Sequence, residues 1–159
     1  MLIAMISTVA YVGRIMFSFI PNVQPTTTII ILVTIYIGTI DGLLVAITNM
    51  FMSNLYLGMG PWTVAQIFAF SMIVGMFHII KKTNLNIKYY PVIAFFSGLF
   101  YGFVISLVQA PFFGWALFFP YWVSGISFDI YHALGNYVFF IILYKPIGDV
   151  FINRRKQYE

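Results

Sequence analysis

Asp129, His132 and Asn136 fall at i, i+3 and i+7 of a long apolar run, a spacing that puts all three on one face of a helix. Arg14 interrupts another apolar run near the start of the chain. Ionisable side chains in such runs are costly, so each needs a partner or a task. Four readings are open for this polar network: hydrogen bonds to neighbouring helices, a ligand contact, a proton relay, or a salt bridge between Asp129 and Arg14. A serine with His132 as base would make an intramembrane hydrolase, but no serine sits in a nucleophile-elbow context. His78 stands at the end of its run, where a structural or interfacial role fits better than a site.

Amides and an indole gather elsewhere. Pro21-Asn22-Val23-Gln24-Pro25-Thr26-Thr27 carries two amides and two hydroxyls on a loop stiffened by proline, and Gly58-Met59-Gly60-Pro61-Trp62-Thr63 adds an indole. Trp62 and Gln66 share a helix face at i, i+4, as do Asn49 and Ser53, with Asn54 and Tyr56 close by. Taken alone, Trp62 reads as part of an interfacial aromatic belt. Asn22, Gln24, Asn54, Trp62 and Gln66 together predict a pocket with apolar walls and a few amides, suited to a neutral or amide-rich small molecule.

The elements that must position these groups follow from composition. Of 159 residues, 62% are hydrophobic and only 8% charged, and the mean hydropathy is +0.96, far from the quarter charged of a water-soluble domain. The expectation is an all-α membrane protein with a single integral membrane domain over residues 1–159. The absence of cysteine excludes disulfides, thiolate nucleophiles and Cys-ligated metals. There is no phosphate-binding Gly-x-x-x-x-Gly-Lys-Ser/Thr loop and no His-Glu-x-x-His. No catalytic residue, metal or cofactor is therefore assigned, and the chain is not read as an enzyme, the intramembrane use of Asp129 and His132 being the rival.

Apolar runs broken by Pro, Gly, Asn and Lys give six short spans, at about 2–20, 26–37, 43–56, 62–80, 90–108 and 117–144, the last ending before Pro146. The second and third could instead form one long kinked helix, giving five crossings. Charge favours six. Lys81, Lys82, Lys88, Lys145 and the Arg154-Arg155-Lys156 tail, seven of the eight basic residues, then share the face that holds both termini. The loops at 21–25, 57–61 and 109–114 have no Lys or Arg. A compact bundle of six transmembrane helices in the plasma membrane, with both termini cytoplasmic, is expected. The first run lacks a basic n-region and carries Arg14, so it reads as a retained helix and not as a secretory signal. A few juxtamembrane lysines make no nucleic-acid surface.

Small residues mark helix contacts. Gly98 and Gly102, with Ser97, form a Gly-x-x-x-Gly face, and Ala4 with Thr8, then Ser7 with Tyr11, line one side of the first helix.

With Val12-Gly13-Arg14, Pro-Asn-Val-Gln-Pro-Thr-Thr at 21–27, Ser53-Asn54, Gly58-Met59-Gly60-Pro61-Trp62-Thr63 with Gln66, and Phe128-Asp129-x-x-His132-Ala-Leu-Gly-Asn136, the chain resembles the substrate-binding S-components of energy-coupling factor (ECF) vitamin transporters along nearly its whole length. The branch it is most similar to is the cobalamin type. The resemblance implies capture of a vitamin from outside, a corrinoid first and pantothenate or another small vitamin as the alternative. ATP-driven uptake would then come from a transmembrane coupling subunit and two cytoplasmic ATPases of an ABC transporter complex. It further implies ligand contacts from Asn22, Gln24, Asn54, Trp62 and Gln66. Arg14 and Asp129 would hold the helices beneath the ligand or meet its charged groups. Docking of the coupling subunit falls on Ala4, Ser7, Thr8 and Tyr11, which match the family's paired alanines only loosely.

Overall fold

The computed structural model describes residues 2–156, with side chains through residue 152. It is 87% helical, and no strand occurs among the described residues. Six helices follow one another: α1 (Leu2–Met16), α2 (Thr26–Tyr36), α3 (Thr39–Leu57), α4 (Pro61–Lys82), α5 (Tyr90–Phe113) and α6 (Phe118–Lys156), with single 3₁₀ turns at Ile87–Tyr89 and Trp115–Leu117.

Helix α2 is the centre of the bundle. Its apolar residues Ile29 to Val33 are at most 3% exposed. Around them pack Val45, Ala46 and Met50 of α3, Phe70, Ile73, Val74 and Phe77 of α4, and Phe140 of α6. A helix buried on every side shows no amphipathic stripe, as its run of Thr, Ile, Leu and Val suggests. Three consecutive threonines at its start point in different directions, about 100° apart. The Thr26 hydroxyl donates to the Ala10 carbonyl of α1 (3.4 Å), Thr27 pairs with His132 of α6 (2.7 Å), and Thr28 donates to the Asn136 carbonyl (3.3 Å).

The chain turns sharply between α2 and α3, which excludes the single kinked helix. Asn49 donates to the Thr26 hydroxyl (3.4 Å), and Gly42 lies directly against the side chain of Thr34. Both pairs are centred on the Ile37–Gly38 turn, the signature of an antiparallel helical hairpin. The expected turn over 38–42 shrinks to Ile37 and Gly38, and helix begins at Thr39. Asp41 then falls in the first turn of α3, where the helix dipole favours a carboxylate. Nearby, the Thr39 hydroxyl and His78 Nδ1 are hydrogen-bonded at 2.6 Å, so His78 ties the start of α3 to α4, a structural role.

Other bounds shift for local reasons. The first helix stops at Met16 and not at residue 20; the chain loosens into turns from Phe17 to Ile20 and passes through Asn22 at a φ of 58°, a left-handed conformation that asparagine tolerates better than most residues. Gly58 and Gly114, at φ of 111° and 99°, end α3 and α5. Helix α5 runs on through Pro111 to Phe113, so most of the expected 109–114 loop is helical. The sixth helix likewise continues past Pro146. Proline removes one backbone bond, but the segment beyond it has its own partners. Ile147 and Phe151 pack on the core, and the Tyr36 hydroxyl closes over Gly148.

Helices α5 and α6 make the most intimate pair, through the small-residue face read from the sequence. A side chain at Gly98 would strike the Ala133 backbone, and one at Gly102 would strike the Asp129 carboxylate. Among the described residues, four helical stretches are long and apolar enough to cross a bilayer: Thr39–Leu57, Pro61–Lys82, Ile87–Phe113 and Trp115–Ile152. Helices α1 and α2 are apolar but shorter. This architecture is compatible with a multi-pass membrane bundle. The side chains of Arg154, Arg155 and Lys156 lie outside the described residues.

Candidate functional site

The end of the bundle where α1 and α5 finish and α4 and α6 begin holds a cleft of three adjoining chambers. The largest, about 370 Å³, is walled by Asn22, Trp62, Gln66, Tyr101, Gln109 and Asp129, with Gly102, Ile105, Ser106, Tyr121, Ser124, Gly125 and Phe128 completing it. An apolar chamber of about 240 Å³ shares Ser106, Gln109 and Tyr121 with it. A third, about 200 Å³, lies between the 17–24 loop and α3 and contains Arg14, Gln24 and Leu57; Asn22 belongs to it as well.

Local structure explains why each group faces the cleft. Pro61 starts α4 at the position where its missing N–H is harmless, so Trp62 and Gln66 project from the first two turns. The Trp62 indole lies over Gly60, where any side chain would collide with the ring, and its N–H donates to the Gly58 carbonyl (3.3 Å). Gly102 leaves the space that the Asp129 carboxylate fills.

An orientation passes from Arg14 to Gln66. A guanidinium can only donate, so the Asn54 atom facing it is Oδ1, at 3.2 Å from an Arg14 terminal nitrogen. The Asn54 Nδ2 then donates to Thr63 Oγ1 (2.9 Å) and to Gln66 Oε1 (2.7 Å). With its oxygen engaged, Gln66 presents its NH₂ group as a donor, with the Tyr101 hydroxyl beside it. Asn54 is 1% exposed and lines no chamber. Expected as a ligand contact, Asn54 stands instead behind Gln66, to which it is hydrogen-bonded.

Of the five residues expected to form the pocket, Asn22, Trp62 and Gln66 meet in the largest chamber, and Gln24 lies next door with Arg14. The polar stripe of α6 divides. Asp129 lines the cleft, whereas His132 and Asn136 are fully buried. His132 pairs with Thr27 and meets the Tyr101 ring edge to face at 4.8 Å. Asn136 donates to the Ala94 carbonyl at 3.3 Å. These two are helix-to-helix contacts, and His132 and Asp129 do not meet in the cavity. The Asp129–Arg14 salt bridge does not form: Arg14 donates to Asn54 and to the Met50 sulfur.

No protein family, curated protein or solved structure matches this chain. The function must therefore be argued from the cleft itself.

Tyr101, Gln109 and Tyr121 were not among the expected site residues, and Phe128 entered only as part of the Phe128-Asp129 motif. Gln109 had a signal, being an amide directly after the fifth apolar run; Tyr101 and Tyr121 had none, because aromatic residues make up 20% of the chain. Among the docking residues, Ala4 and Thr8 are exposed on α1 and Tyr11 is half-buried, but Ser7 turns inward at 4% exposure. Ser7 is thus withdrawn from the outward face. Among the described residues no cluster of three or more His, Asp or Glu side chains is placed to hold a metal.

Proposed function

We propose that the protein is a membrane-embedded binding subunit that captures a small vitamin at this cleft for import by a separate ATP-driven module. The observation that carries the reading is the convergence of Asn22, Trp62, Gln66 and Asp129 on one chamber at a single end of the bundle. Apolar walls with a few fixed polar groups are what a small-molecule receptor needs. A six-crossing arrangement puts that end opposite the Lys81, Lys82, Lys88 and Lys145 side, and so outside the cell, with both termini inside. The resemblance to ECF S-components fits this geometry, and the coupling subunit would rest on the exposed Ala4–Thr8 side of α1.

Volume bears on the ligand. The 370 Å³ chamber stands at the low end of the roughly 300–1,000 Å³ typical of small-molecule sites. A vitamin of pantothenate size fits within it, while cobalamin would have to spread over all three chambers and beyond the mouth. The cleft therefore supports the smaller ligand class over the corrinoid. The rival reading as an enzyme needs His132 at the cavity, and its ring is engaged with Thr27 instead.

Titration of the detergent-purified chain against a vitamin panel, read by tryptophan fluorescence and by calorimetry, tests the proposal. Saturable binding of one member, weakened by Gln66→Ala, is expected; no binding by any member would overturn it.

A further inference from the structure

Two charges of opposite sign remain unneutralised on the cleft walls, in adjoining chambers. Asp129 is 7% exposed, and no hydrogen-bond donor reaches its carboxylate among the described residues. It shares the largest chamber with four aromatic side chains, Trp62, Tyr101, Tyr121 and Phe128. Arg14 is 9% exposed and lines the neighbouring chamber; its described partners, Asn54 Oδ1 and the Met50 sulfur, are both neutral. Asn22 is common to both walls.

Burying a charge without a counter-charge is strongly unfavourable, and pairing the two would be the simplest remedy. The fold instead sets them in two chambers that meet at Asn22. We infer that the ligand is a small zwitterion, with a cationic nitrogen at Asp129 among the aromatic rings and an anionic carboxylate or phosphate at Arg14. Aromatic faces attract cations, and a carboxylate beside them supplies the counter-charge. A guanidinium suits either anion. A neutral, amide-rich ligand would leave both charges unpaired. The inference rests on the vitamin-capture reading and narrows it by charge.

The test uses the purified full chain and a graded set of probes: pyridoxamine 5′-phosphate (ammonium and phosphate), pyridoxamine (ammonium alone), pyridoxine (neither), pantothenate (carboxylate alone) and thiamine monophosphate (a second zwitterion). The zwitterions should bind at least about tenfold more tightly than pyridoxine. Asp129→Asn should erase the advantage of pyridoxamine over pyridoxine. Arg14→Gln should erase that of the phosphate, and Arg14→Lys should keep part of it. Tyr121→Leu, at the exposed rim, guards against a folding defect: it should weaken pyridoxamine more than pyridoxine. Pyridoxine, pantothenate or cyanocobalamin binding as tightly as the zwitterions, with Asp129→Asn unchanged, would overturn the charge assignment and leave vitamin capture standing. Binding of no probe and no other vitamin would overturn both.

Discussion

Asp129 and His132 stand one turn apart on the same face of α6, yet their surroundings are opposite. The carboxylate borders an open cleft without a hydrogen-bond partner among the described residues; the imidazole is sealed, with Nε2 on Thr27 and its ring against Tyr101. The difference lies in what faces them. Opposite His132 stands the threonine-rich start of α2, able to complete a hydrogen bond. Opposite Asp129, α5 places Gly102, which makes room and no side-chain bond. The same polar spacing thus yields a brace at one turn and a binding wall at the next.

The strongest way to break this contrast is to separate α5 from α6. Gly98→Val drives a side chain into the Ala133 backbone and should cost about 3 kcal/mol, seen as loss of monodisperse protein in detergent and a large fall in Tm. Less severe is His132→Leu, which removes the brace and leaves the Thr27 hydroxyl unpaired. It should cost about 1–2 kcal/mol in thermal unfolding while leaving affinity for the cleft ligand within about twofold. Were affinity to collapse with stability intact, the brace would belong to the site.

On the cleft side the expectation reverses. Gln66→Ala should lower ligand affinity about tenfold, equivalent to about 1.4 kcal/mol, with little change in Tm. Asn54→Ser should act more weakly, about threefold in affinity (roughly 0.7 kcal/mol), because it frees Gln66 to rotate without removing it. The smallest effect belongs to Thr8→Ala. This hydroxyl donates to its own Ala4 carbonyl on the exposed side of α1, so both stability and ligand affinity should stay within about 0.5 kcal/mol. A drop in cellular uptake alone would mark that side as the docking face.

Much of this was legible in the residues. Apolar runs gave six helices, Pro21, Pro25, Gly58 and Pro61 marked real breaks, and Gly98 and Gly102 announced a close helix contact. What stayed hidden depends on neighbours distant in sequence. Pro146 reads as a stop, and only the contacts of Ile147, Gly148 and Phe151 carry the helix beyond it. Asn54 resembles a ligand contact because its type is right; that its amide is spent on Thr63 and Gln66 appears only once α3 and α4 are side by side. Arg14 and Asp129 look like a natural pair until the bundle sets each in a different chamber.

The shortness of α2 reaches further than the core it fills. Eleven residues span about 17 Å, little more than half of a hydrocarbon layer of about 30 Å. Were α2 to cross such a layer, the non-helical stretch ahead of it would sink below the surface; Val23 stands against Gly135, six positions along α6 from Asp129. Bare peptide groups survive at that depth only where protein or water surrounds them. In a bilayer the cleft would then be a funnel open to water, and a solute settling on its floor would already have travelled part of the way across.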